Sequence, residues 1–201
     1  MFKGAPDFFN LLDAAILATE ASRQKYRLRG FDLRPSPSGS YFVYGLSLAA
    51  AKWRLADVTL GIDAPGYSDG VQKSYSGQLR VTLSVIALEA YAKVTSKRWH
   101  QMNGHNALEN LDILAGGIRA KLSDKLFTRV HESLRDQGLK DSILAFKNGD
   151  NERVVGLAVA IRHCFAHGLI PAESDIVKVA DGLRSIVLNS IKASCIAESS
   201  N

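Results

Sequence analysis

The segment "VVGLAVAIRHCFAHG", residues 154–168, carries the strongest structural signal in the chain. Its first thirteen residues are apolar or glycine, with the exception of Arg162 and His163, and His167 follows directly. A helix that is apolar nearly all round is usually buried on several sides by other elements. We therefore predict a buried helix over residues 151–167, and we ask why it should carry a guanidinium and two imidazoles.

The three polar residues of this segment share one arc of the predicted helix. At about 100° per residue, His163 and His167 lie about 100° and 140° from Arg162. The opposite side of the helix carries only apolar residues, namely Val154, Leu157, Ile161 and Phe165. An unpaired buried arginine is costly. The guanidinium at the last turn must therefore face either a protein carboxylate or another anion.

Helical spacing of apolar residues continues on both sides of this segment. It predicts further helices over residues 75–98, 107–137 and 173–196, with a kink at Gly116–Gly117 and a short piece at 139–147. The first of these helices has an apolar stripe, formed by Leu79, Leu83, Ile86, Ala87, Ala90 and Val94. Long helices with short joins predict an all-α fold, an up-and-down four-helix bundle.

The N-terminal part of the chain is predicted to form an additional helical segment. A first helix begins at residues 6–7 and ends by Gly30, and a loop follows over residues 31–40. A second helix covers residues 41–61, although its opening "YFVY" also suits a short strand. Because "GIDAPGYSDGVQKS" is the clearest break, we predict an extension over residues 1–70 that packs on a bundle over residues 71–201.

Composition predicts a cytoplasmic protein without membrane association. The net charge of +5 mildly favours polyanionic partners, but the basic residues are scattered. The two cysteines, Cys164 and Cys195, show no metal-binding spacing and are typical of buried thiols in a reducing compartment. The N-terminal residues have no sustained apolar region, so we do not expect a signal peptide, and no run approaches the roughly 20 apolar residues of a membrane span.

The residue types at the end of the buried helix suit cleavage of a phosphodiester. Arginine offers a planar fork of donors that matches phosphate and stabilises charge developing on its oxygens. Histidine titrates near neutral pH and can accept or donate a proton. In RNA the ribose 2′-OH is already in place as the nucleophile, so this chemistry needs neither a metal nor a cofactor.

The run "RHCFAHG", residues 162–168, resembles the R-x4–6-H motif of the HEPN superfamily. Its frequent form is arginine, a polar residue, three further residues and histidine, often followed by glycine. The resemblance covers about residues 75–196 in architecture and six residues in the motif. It implies a four-helix up-and-down bundle with the motif near the junction of the last two helices. The first 70 residues carry no such resemblance.

Membership of this superfamily would imply a metal-independent endoribonuclease that acts through the ribose 2′-OH. Arg162 and His167 would then be catalytic, while His163 and Glu89, an acidic residue on an earlier helix, would orient the substrate. The resemblance also implies a homodimer with two motifs facing one cleft, products that end in 2′,3′-cyclic phosphate, and RNA as the substrate. An antitoxin or another regulatory protein, in a toxin–antitoxin or defence setting, is a further expected partner.

The alternative from another class is a catalytically inactive HEPN-like protein that binds RNA, a nucleotide or a protein partner. In that case Glu89 would neutralise Arg162, unless Glu89 pairs at the helix surface with Lys93. A DNA-binding module is disfavoured because no helix presents an exposed basic face. His163 and His167 also have the i,i+4 spacing of a metal chelate, although no HExxH or CxxC pattern accompanies them.

Two further features have ordinary structural explanations. His167 is placed to cap its helix, because a cationic side chain suits a helix C-terminus. The loop after the first bundle helix contains residues that could stack on or bind bases, namely Trp99, His100, Asn103, His105 and Asn106, or it is simply a polar connection. Arg98 and His105 in this loop repeat the motif's loose spacing, but no apolar helix presents them.

Overall fold

The computed structural model describes residues 41–59, 61, 63, 65–95, 97–101, 105–106, 108–171 and 175–199. These residues form seven α-helices and no strand, which confirms the all-α class. The helices are α1 (Tyr41–Val58), α2 (Asp69–Val94), α3 (Leu111–Lys121), α4 (Asp124–Ser133), α5 (Gln137–Lys147), α6 (Val154–Ala166) and α7 (Ile176–Ser199). The predicted first helix and the loop after it, residues 6–40, lie outside the described residues.

Helix α2 lies at the centre of the packing and contacts α1, α6 and α7. Glu89 of α2 lies beside Arg162 of α6, and the Gln78 side chain donates a 2.9 Å hydrogen bond to the carbonyl of Pro171, beyond the end of α6. These two contacts show that α2 and α6 run antiparallel. The C-terminal turn of α6 is therefore held against the middle of α2.

Helix α6 is the most completely buried element of the described chain. Every residue from Val154 to Ile161 is buried, and so is Cys164. The helix contacts α2, α4, α5 and α7, so it has neighbours on several sides. The sequence-based prediction of a buried helix is confirmed, except that Phe165 on the predicted core face is half-exposed.

Helix α1 belongs to the same hydrophobic core as the later helices. Ala49, Ala50, Trp53 and Ala56 are buried within this core. The indole N–H of Trp53 donates a 3.1 Å hydrogen bond to the carbonyl of Leu188 in α7. Residues 41–58 are helical from their first residue, so the "YFVY" segment does not form the strand that its composition also suited.

The buried face of α2 differs from the predicted apolar stripe. Of that stripe only Ala87 is buried, while the other five residues are half-exposed. The buried face instead contains many small or polar residues, including Ser74, Ser76, Gly77, Gln78 and Ser84. A Cβ atom on Gly77 would lie 3.3 Å from that of Ala180, so small residues allow α7 to approach α2 closely. The helix also begins at Asp69, six residues earlier than predicted.

The prediction of a single kinked helix over residues 107–137 is wrong. The segment forms α3 and α4, which are separated at Leu122–Ser123 rather than at Gly116–Gly117. Ser123 begins α4 because its hydroxyl accepts a 3.2 Å hydrogen bond from the backbone N–H of Leu126. Three short helices, α3, α4 and α5, therefore connect α2 to α6.

The close packing of α7 against α3 can be tested with a pair of glycines. A Cβ atom on Gly182 would lie 2.8 Å from Cγ1 of Ile118, whereas one on Gly117 would have no atom within 4 Å. We predict that Gly182→Ala lowers the free energy of unfolding, because overpacking costs about 1–3 kcal/mol. Gly117→Ala should raise it by about 0.5–1 kcal/mol, because alanine is the better helix former. Urea denaturation measures both, and equal effects of the two substitutions would contradict this packing.

Candidate functional site

The candidate site lies at the point where α6 leaves the core. His167 is the C-cap residue, and its backbone N–H donates a 3.2 Å hydrogen bond to the carbonyl of His163. Gly168 follows with a φ of 64°, a conformation that glycine adopts without strain and that commonly ends helices. The chain therefore turns away directly after the polar residues, and the last turn of α6 reaches solvent.

Arg162 pairs with Glu89 across the α2–α6 contact. Nη2 of Arg162 lies 3.0 Å from Oε2 of Glu89, and the two side chains are 31% and 35% exposed. The sequence left open whether Glu89 faces solvent beside Lys93 or meets Arg162, and the structure brings it to Arg162. Because both side chains remain about one-third exposed, the pair resembles a surface ion pair, and such pairs contribute at most about 1 kcal/mol.

The partial exposure of this pair matters for its chemistry. A guanidinium has five N–H donors in a planar fork, and the contact with Glu89 is made through Nη2 alone. Arg162 is therefore anchored to α2 without being sealed beneath other side chains. Among the residues that the structure describes, its positive charge is paired with Glu89, and it still has access to solvent.

The imidazoles of His163 and His167 lie next to each other on the same side of the helix end. Their ring centroids are 4.6 Å apart, and the ring planes are inclined at 52°. His163 is half-exposed, whereas His167 is exposed. The three polar residues predicted to share one arc are therefore together in space, and Glu89 joins them from α2.

The environment of His163 lowers the pKa of its imidazole below the ordinary value of 6.5. The largest cause is burial, and the neighbouring charges of His167 and Arg162 act in the same direction. The carboxylate of Asp136 opposes this shift and raises the pKa. His163 is thus mainly neutral at pH 7, the form in which an imidazole can accept a proton or bind a metal ion.

Cys164 lies between the histidines in sequence but on a different side of α6. It is fully buried, and its thiol lies 3.8 Å from the carbonyl oxygen of Val130 in α4. Burial raises the pKa of this thiol to about 11. Cys164 therefore stays protonated and acts as a core residue rather than as a nucleophile or a metal ligand.

The described residues of the loop after α2, 95, 97–101, 105–106 and 108–110, do not form a second cluster of this kind. His105 is buried, and its Nε2 forms a 2.8 Å hydrogen bond with the backbone carbonyl of Glu152, close to the start of α6. Trp99 is half-buried against the hydrophobic core, and Asn103 lies outside the described residues. The repeated spacing of Arg98 and His105 thus places a histidine in the protein interior, away from solvent.

Asp136 acts on the site electrostatically, and sequence reasoning missed it. It is the N-cap of α5, where its Oδ1 accepts a 2.8 Å hydrogen bond from the backbone N–H of Leu139. An aspartate directly before a helix is a recognisable capping signal. The capping role was therefore readable from the sequence, but its electrostatic effect on His163 depends on how α5 packs against α6.

Comparisons with known proteins yield no matching family model, no similar curated protein and no similar solved structure. Among the residues that the structure describes, no three or more histidine, cysteine or acidic side chains are grouped to hold a metal ion. Within the same residues, no helix is both long enough and apolar enough to cross a membrane. The site must therefore be interpreted from its own geometry.

The cause of the His163 shift can be tested by NMR titration of the histidine side chains. We predict that His163 titrates below pH 6.5, and that its pKa rises in His167→Ala but stays below 6.5, because burial is the larger cause. Since the unfolded chain then binds the proton more readily, this group's contribution to stability is present above pH 6.5 and is lost as the pH falls below it. A His163 pKa above 6.5, or one unchanged by His167→Ala, would contradict this interpretation.

Proposed function

We propose that this protein is a metal-independent endoribonuclease of the HEPN type, with a helical bundle that carries its active site at the end of α6. The observation that supports this proposal is the cluster of one guanidinium and two imidazoles on the last turn of an otherwise buried helix. Most other residues of this helix pack in the core. An arginine and two histidines that reach solvent at its end are suited to binding and cleaving a phosphodiester.

In the proposed reaction the ribose 2′-oxygen attacks the neighbouring phosphorus atom, and the bond from phosphorus to the 5′-oxygen breaks. Arg162 would bind the scissile phosphate and stabilise the negative charge that develops on its non-bridging oxygens. His167 would accept the proton of the 2′-OH or donate a proton to the departing 5′-oxygen. The products are a 2′,3′-cyclic phosphate and a 5′-hydroxyl, and no metal or cofactor enters the balance.

His163 and Glu89 would act as orienting residues in this scheme. Glu89 fixes the guanidinium of Arg162 at 3.0 Å, and the partial exposure of both side chains leaves room for an incoming phosphate. His163 lies beside His167 and is mainly neutral at pH 7, so it can hydrogen-bond to substrate or to its neighbour without adding a second fixed charge.

A homodimer is part of this proposal because the family resemblance implies one, and the acid and the base would then come from separate chains. Two copies of the cluster facing one cleft would supply His167 twice, one for each proton transfer. RNA is the proposed substrate, and an antitoxin or another regulatory protein is a proposed further partner, in keeping with the family resemblance. A cytoplasmic location is part of the same proposal.

The second candidate function is a catalytically inactive HEPN-like protein that binds RNA, a nucleotide or a protein partner. The Arg162–Glu89 ion pair favours this alternative, because a guanidinium that already has a carboxylate partner does not require a phosphate. The partial exposure of the pair is compatible with the nuclease as well, because the guanidinium remains open to a phosphate. The two functions differ in whether bound RNA is cleaved.

Cleavage of a labelled RNA in the presence of EDTA tests the nuclease directly. We predict cleavage by the wild-type protein and a loss of about 10²–10⁴-fold in Arg162→Ala and in His167→Ala, as expected for removal of a charge-stabilising group or a general acid–base group. Glu89→Gln should lose less cleavage activity than Arg162→Ala. Combined with Arg162→Ala in a double variant, it should cause no further loss of activity, because Glu89 acts through Arg162.

Arg98→Ala is the matched control for this assay, because Arg98 has the same loose spacing to a histidine but lies outside the cluster. It should retain wild-type activity. Cleavage that is unchanged in both Arg162→Ala and His167→Ala would exclude the proposed active site. Binding of RNA by the wild-type protein without any cleavage would favour the inactive alternative.

A further inference from the structure

The two histidines at the end of α6 have a second chemical capability that RNA cleavage does not require. Residues four apart on a helix lie on one face, one turn above the other. His163 and His167 have this spacing, and their ring centroids are 4.6 Å apart. This separation is compatible with both rings binding one ion, since the bond from zinc to an imidazole nitrogen is about 2.0–2.1 Å long.

The exposure of the rings suits this role. His163 is half-exposed and His167 is exposed, so an ion has access to the pair from solvent. The charge of Arg162 beside them opposes cation binding, but its ion pair with Glu89 offsets part of that charge.

The surroundings determine what kind of ion the pair would take. Cys164 is withdrawn into the core with a pKa of about 11, and Glu89 is engaged by Arg162. Within the described residues no third histidine, cysteine or acidic side chain completes a metal site. The pair therefore offers two nitrogen ligands, and water would fill the remaining positions. Imidazole ligands favour zinc, nickel and copper over magnesium and calcium, which prefer oxygen.

We propose that His163 and His167 form a two-histidine chelate for a divalent transition-metal ion, with Zn²⁺ as the ion to test. Such an ion would occupy the imidazole of His167, which the proposed nuclease needs for proton transfer. Bound Zn²⁺ would thus inhibit RNA cleavage, a consequence that rests on the proposed function. The binding itself does not depend on that function.

Isothermal titration of the full chain with ZnCl₂, in the absence of RNA, tests the chelate. We expect the wild-type protein to bind one equivalent per chain, and His163→Ala and His167→Ala each to bind at least tenfold more weakly, because either change removes half of the chelate. His100→Ala, which removes an exposed histidine elsewhere, should bind as the wild type does. MgCl₂ should give no binding.

Absence of Zn²⁺ binding by the wild-type protein, or undiminished binding by either His163→Ala or His167→Ala, would overturn the proposal. A thermal unfolding curve of each variant checks that the variant is folded before the titration. Because neither histidine side chain is buried in the core, we expect both variants to fold. Because no RNA is present, a failed titration leaves the nuclease proposal standing. If the protein binds Zn²⁺ through both histidines but does not cleave RNA, only the nuclease proposal is contradicted.

Discussion

The burial of α6 is the constraint on which the rest of the structure depends. Because α2, α4, α5 and α7 surround this helix, its residues from Val154 to Ile161 are buried and must be apolar or glycine. Polar chemistry is possible only at the last turn, where the helix reaches the surface before Gly168. The same burial makes the position of that turn well defined, because the preceding residues fix the axis and rotation of the helix. A catalytic or binding group gains precision from a rigid support of this kind.

The partner of Arg162 links the fold to the candidate site. The sequence required an anion beside this guanidinium, and Glu89 supplies one from the central helix α2. The ion pair ties α6 to α2, but its partial exposure makes it weak, so it can orient the guanidinium without preventing contact with a second anion. The neighbouring His163 is kept mainly neutral by burial and by the charges around it. The cluster thus combines one fixed cation with two imidazoles, one of which readily remains a proton acceptor or a metal ligand.

The sequence predicted those features that depend on long apolar runs and on local spacing. The burial of α6 and the shared arc of Arg162 and His167 follow from such patterns. The buried face of α2 did not follow, because apolar residues lie on both faces, buried ones such as Val85 and half-exposed ones such as Leu83, and because residues such as Gly77 form an interface through their small size. The break before α4 was missed because the helix is interrupted at the capping residue Ser123, and not at the nearby glycines where a kink was predicted. The contact between Arg162 and Glu89 joins residues separated by 73 positions, and only the tertiary packing of α2 against α6 selects that carboxylate among the acidic residues of the chain.

The central claim is that the cluster at the end of α6 cleaves RNA through the ribose 2′-OH. The most direct measurement is the chemistry of the product ends, determined by mass spectrometry on a short RNA and on the same RNA with a single 2′-deoxy substitution at the cleaved position. The proposed mechanism predicts a 2′,3′-cyclic phosphate and a 5′-hydroxyl from the first substrate and no cleavage at the substituted position of the second. A 5′-phosphate product, or cleavage that persists at the 2′-deoxy position, would contradict it.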